Sequence, residues 1–160
     1  MQDALLNFCK WLENTPWALF IGHSLWAYPV VQTIHFSGLS LWVGTIVVVD
    51  LRFLGLGGRR QAAGELAERF VPWTWTGFGI TVLGGMLLFA ASASAYFRNP
   101  AFQIKFLLLV VGITYHIVIQ RNSPKWGASP AVPLVAKLAT FAELALWICV
   151  ITAAVEIPNH

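Results

Sequence analysis

The chain reads as an all-α integral membrane protein, a four-helix bundle preceded by an amphipathic helix lying in the membrane interface. Three observations lead there. Of its 160 residues, 58% are apolar and 11% charged, with a mean hydropathy of +0.69, a composition unlike that of ordinary soluble domains. Four windows, Val30–Asp50, Val71–Ser92, Ala101–Gln120 and Leu134–Val155, meet the ~20 apolar residues needed to cross a bilayer core of ~30 Å. The basic residues are sorted as well. Arg52, Arg59, Arg60 and Arg69 lie between the first two windows, and Arg121, Lys125 and Lys137 in the run RNSPKWGASPAVPLVAK that leads into the last, leaving only Lys10, Arg98 and Lys105 of the ten on the other side. Four spans place both termini on one side, and the excess of Lys and Arg makes the two basic connectors cytoplasmic. The expected location is a bacterial inner membrane with both termini periplasmic.

Residues 1–28 form a separate segment before the bundle of residues 29–160. A continuous helix from Pro16 to Asp50 would run to ~52 Å at 1.5 Å per residue, so the chain must break or lie flat before the first span. Pro29 is the expected break, since proline removes a backbone donor and disfavours helical geometry at Tyr28. Leu5, Leu6, Phe8, Trp11 and Leu12, set among Asp3, Asn7 and Lys10, suit a helix lying among lipid headgroups. Thr15-Pro16 reads as an N-cap followed by proline at the first helical position, opening a short helix over 16–28 that carries His23 near the outer surface. The start has Asp3 and Glu13 and no basic run leading into an apolar core, unlike a cleavable signal peptide.

Two of the spans carry ionisable groups. His35 lies in the first, Lys105 and His116 in the third, and such groups are expensive in hydrocarbon unless they face the bundle interior or a partner. At 1.5 Å per residue, His35 and Lys105 share a level about five residues to the outer side of their span centres, while His116 lies ~16 Å further in. His35 and His116 therefore should not ligate one iron. Glu143 in the fourth span falls about one turn from His116, so a hydrogen bond or ion pair between them is expected. Gln32, Leu39 and Trp42 share the face of His35, and Gly38 and Gly44 sit beside it, facing a second span with Gly77, Gly79, Gly84 and Gly85. The glycines read first as close helix packing. His35, with a lysine at its own depth, reads as a cofactor or proton group. Most of the tryptophans suit interfacial belts or packing, His23 is interfacial with a metal or haem as its alternative partner, and His160 is terminal.

The segments IHFSGLSLWVG, with His35 and Trp42 seven apart, and FQIKFLLLVVGITYHIVIQR, with Lys105 and His116 eleven apart, resemble the first and third helices of the HemJ-type protoporphyrinogen oxidases and CopD-like four-helix membrane proteins. The resemblance covers about His35 to Arg121. It implies a bundle that binds haem b, with His35 matching the haem-ligand histidine and Lys105 the lysine required for activity. The chain departs from HemJ proteins in its ~30 residues before the histidine helix and in the context of Arg52, DLRFLGL, which points to a sister family.

Three functions remain open at this point. The first is a haem b protein handling electrons, a membrane oxidoreductase in its fullest form. His35 would be the axial ligand, with Lys105 or His23 as second ligand or as partner to a propionate or to a porphyrin or quinone-like substrate. The second is a CopD-like transporter of copper or another small solute, with His35/Lys105 and His116/Glu143 marking an ion path, although only two methionines are few for a soft-metal relay. The third is a non-catalytic subunit of a homo-oligomer or larger membrane complex. Cys9 and Cys149 have no metal-ligand or disulfide spacing and read as packing residues. The dispersed net charge of +3 offers no nucleic-acid surface.

Overall fold

A computed structural model describes residues 2–56, 62–127 and 131–155. The interfacial helix α1 (Gln2–Glu13) and the short α2 (Pro16–His23) precede α3 (Ala27–Phe53). α4 (Ala63–Ala91), the single-turn-and-a-half α5 (Ala93–Arg98), α6 (Pro100–Gly127) and α7 (Leu134–Val155) follow. The helices α3, α4, α6 and α7 are each long and apolar enough to cross a membrane. They extend past the expected windows wherever the flanking sequence stays helix-compatible, so Glu65, Glu68 and Arg69 belong to the first turns of α4. The connector residues Arg59 and Arg60, and His160, lie outside the described residues.

The break before the first span falls at Ser24–Trp26 and not at Pro29. Ser24 leaves helical geometry as the C-cap of α2, and its hydroxyl accepts the N–H groups of Trp26 (3.3 Å) and Ala27 (3.1 Å), starting α3. Pro29 is tolerated because it sits in the first turn, where its missing N–H has no intrahelical partner to lose. Pro16 does open α2, with Thr15 in extended geometry before it. Thr15 does not cap that helix, because its hydroxyl donates back to the Leu12 carbonyl (2.7 Å).

α1, α2 and α5 gather at one end of the bundle, here termed the capped end. The Glu13 carboxylate accepts from the Ser94 N–H (2.7 Å) and hydroxyl (2.9 and 2.7 Å), tying α1 to the start of α5, where unpaired helix N–H groups favour an anion. Cys9 is buried beneath α1, and its thiol is pushed up by burial and then by the Glu13 charge, which keeps it an unreactive packing group. Phe89, Tyr96 and Phe102 stack at 5.3 to 6.3 Å and join α4, α5 and α6 at the same end. The opposite end carries the two connectors.

The bundle is closed by antiparallel neighbours. Along the α3–α4 seam, His35, Gly38, Trp42 and Thr45 meet Gly84, Thr81, Gly77 and Thr74 in turn, and small residues at this spacing let the backbones approach. A Cβ on Gly77 would stand 2.6 Å from the Trp42 backbone nitrogen, and one on Gly84 2.9 Å from the His35 Cβ. α6 and α7 meet at Gly112 against Trp147, while Trp75 of α4 donates to Gln120 of α6 (3.1 Å). The polarity is inverted relative to a water-soluble core. Asp50, Glu143 and several threonines are buried while Leu83, Leu107, Phe141 and Ile148 are exposed, as expected where hydrocarbon is the solvent.

Gly77→Ala is expected to destabilise the detergent-solubilised protein by ~1–3 kcal/mol through overpacking. Gly44→Ala, with nothing within 4 Å of the added atom, should leave the melting temperature unchanged. Equal shifts in the two variants would mean that the seam is not set by glycine contacts.

Candidate functional site

Polar groups collect at two levels, separated by an aromatic layer. In the middle, Trp42 packs edge-on against Phe78 (4.9 Å) and Trp147 (4.7 Å), and both tryptophans are buried. Along α3, α4 and α7 these rings stand between the two polar levels.

Towards the capped end lies His35. Its Nδ1–H donates to the Thr81 carbonyl of α4 (2.8 Å), and the ring lies against Gly85, where a Cβ would come within 3.2 Å of Cε1. Because one ring nitrogen is held by a backbone carbonyl, the tautomer and ring direction are fixed and Nε2 becomes the lone-pair nitrogen. Nε2 makes no hydrogen bond among the described residues and is not among the fully buried polar atoms. Lys105 of α6 is part-buried, within electrostatic range of His35, and its ammonium has no hydrogen-bond or ion-pair partner among the described residues. Depth counting along the helices had placed these two at one level, and the structure brings them into electrostatic range.

The other residues expected around this site are arranged differently. Gly38 is closed over by Ile80 and Thr81, and Trp42 belongs to the central aromatic layer, so both serve the α3–α4 seam rather than an open ligand face. Gln32 is part-buried on the same helix. His23 does not join the site. It is exposed, its Nδ1–H donates to the Leu19 carbonyl (2.9 Å), and its neighbour Gly22 packs on Ala91, six residues or ~9 Å along α4 from the glycine that touches His35.

Towards the connector end, His116 Nδ1–H donates to Glu143 Oε1 at 2.7 Å, and the Trp147 indole N–H reaches the same oxygen at 3.3 Å. Trp75, six to ten residues along α4 from the residues that hold His35, lies 6.3 Å from the His116 ring. Their neighbours on α4 are thus ~9–15 Å apart along that helix. Asp50 joins this lower group, a residue the sequence reading takes only as the end of the first window. α3 continues to Phe53 and Asp50 is 1% exposed. The spacing carried the signal, since Asp50 follows Trp42 and Ile46 by eight and four residues and so shares their buried face.

A family model matches residues 8–158, nearly the whole chain. The chain belongs to DUF6644, a family of unknown function. Comparison with curated proteins and with solved structures gave no match. For this DUF6644 member, the likeness to HemJ and CopD proteins accordingly rests on the two helix motifs around His35 and Lys105.

Proposed function

We propose that this DUF6644 protein binds haem b in the half of the membrane towards its capped end and handles electrons there, with His35 as an axial ligand through Nε2. The observation that supports this reading is the Nδ1–H bond to the Thr81 carbonyl. Metal-bound histidines characteristically donate their other ring N–H to a carbonyl or carboxylate, which fixes the ring and raises its basicity. Lys105, with no partner of its own among the described residues, would pair with an anionic group at that level, a propionate or the carboxylate of a porphyrin substrate. A bound haem would supply one-electron chemistry at a potential set by its axial ligand and burial. His35 orients, Gly84 and Gly85 hold the ring in place, and Lys105 supplies positive charge. The Trp42, Phe78 and Trp147 rings standing between the two polar levels weigh against the transporter reading.

Purified protein should give a Soret band and, after dithionite, sharp α and β bands. A colourless preparation from haem-replete cells would remove the proposal.

The orientation proposed for the chain puts the connectors in the cytoplasm and the capped end in the periplasm of an inner membrane. Single cysteines near Arg59 and Lys125, placed in a cysteine-free background, should react only with reagent admitted from the cytoplasmic side, and one near Asn99 only from outside. External labelling near Arg59 would reverse the orientation.

A further inference from the structure

The connector-end cluster is not used by the haem reading and has its own chemistry. Asp50 of α3, His116 of α6 and Glu143 of α7 line one cavity of about 30 Å³, room for a water or two. Asp50 Oδ2, His116 Nε2 and Glu143 Oε2, on side chains that line it, are buried and have no hydrogen-bond partner among the described residues. Each orphaned polar atom costs roughly 1–3 kcal/mol if left dry, so three on side chains around one small cavity call for water or a shared proton among them.

Charge decides what else the cavity holds. Two carboxylates face it with no lysine or arginine in its lining, and a second uncompensated charge in a low-dielectric interior is prohibitive. α4 contributes no titratable group to the lining, only the Thr74 hydroxyl, which is engaged with Thr45 and Phe70. Tyr115 of α6 lies nearby with its hydroxyl donating to the Ala139 carbonyl. With both acids ionised and His116 neutral the cluster carries two negative charges, and two added protons bring it to zero. A metal ion is the other way to balance the charge, but no group of three or more ligating side chains among the described residues is arranged to hold one.

We infer that Asp50, His116 and Glu143 form a hydrated proton-binding site in the connector-end half of the bundle, with two exchangeable protons shared among three groups in its neutral state. The arrangement in which Asp50 is a neutral acid while the His116–Glu143 pair holds the other proton uses every orphaned atom once a water bridges them. This site stands whether or not His35 holds haem.

The test is infrared spectroscopy of the full-length protein in an ester-free detergent at neutral pH, where exposed carboxylates are ionised. A carboxylic-acid C=O band that shifts down in D₂O and disappears in Asp50→Asn or Glu143→Gln is the expected result. Should those variants fail to fold, ¹³C-aspartate or ¹³C-glutamate labelling of the unaltered protein must shift the same band. No such band in the wild-type protein, a band insensitive to both labels, or its abolition by sodium at constant pH would overturn the assignment. The last outcome would make the cavity a cation site.

Discussion

His35→Ala is expected to abolish haem binding, leaving a protein without Soret absorbance at any haem concentration that saturates the wild type. Among the described residues no other imidazole contacts this one, since His23 ends α2, where Gly22 packs on Ala91, and His116 lies beyond the aromatic layer. Alanine also removes the bond to the Thr81 carbonyl but leaves the α3 backbone against Gly84, so the helices should still pack. His35→Gly supplemented with free imidazole should recover part of the absorbance, which a purely structural histidine would not do. Lys105→Met should retain haem at roughly tenfold or more reduced affinity, on the scale by which groups outside the ligand set tune a metal site. Full haem retention in His35→Ala would refute the ligand assignment outright.

Breaking the connector-end cluster should damage the fold instead. In His116→Ala the buried Glu143 carboxylate loses its 2.7 Å partner while Asp50 remains beside the same cavity. Because the orphaned Glu143 takes up a proton rather than stay charged, the cost is that of an unsatisfied buried polar group, roughly 1–3 kcal/mol, plus that of the cavity the imidazole leaves. Glu143→Gln keeps an acceptor for both His116 and the Trp147 indole and removes the charge, so its loss should be closer to ~1 kcal/mol. Thermal unfolding in detergent, followed by the far-UV helix signal, should therefore rank wild type above Glu143→Gln and both above His116→Ala. A His116→Ala protein as stable as the wild type would mean that the pair contributes little to folding. Neither variant touches the capped-end level, so their haem spectra should match that of the wild type.

The spans and both polar levels were legible because hydrocarbon imposes strict rules. A run such as LVAKLATFAELALWICVITAAV admits one reading in length and type, and Glu143 within it must find a partner, which depth counting identified as His116. The glycines were legible as a packing seam but not individually. Gly77 and Gly84 meet backbone across the seam while Gly44 and Gly79 face open space, a distinction that depends on helix rotation. Two features escaped for local reasons. Ser24 is an ordinary polar residue until its hydroxyl is seen accepting two N–H groups, so Pro29 looked the stronger break. Asp50, followed closely by Arg52, resembled a span boundary, and only the extra turn of α3 carries it into the interior.

Haem stoichiometry tests the central claim most directly. Pyridine haemochromogen content, set against protein determined by amino-acid analysis, should be measured side by side for the wild type, His35→Ala and His116→Ala. Haem at His35 predicts one haem b per chain in the wild type and in folded His116→Ala, and none in His35→Ala. Haem retained by His35→Ala, or lost from a folded His116→Ala protein, would contradict it.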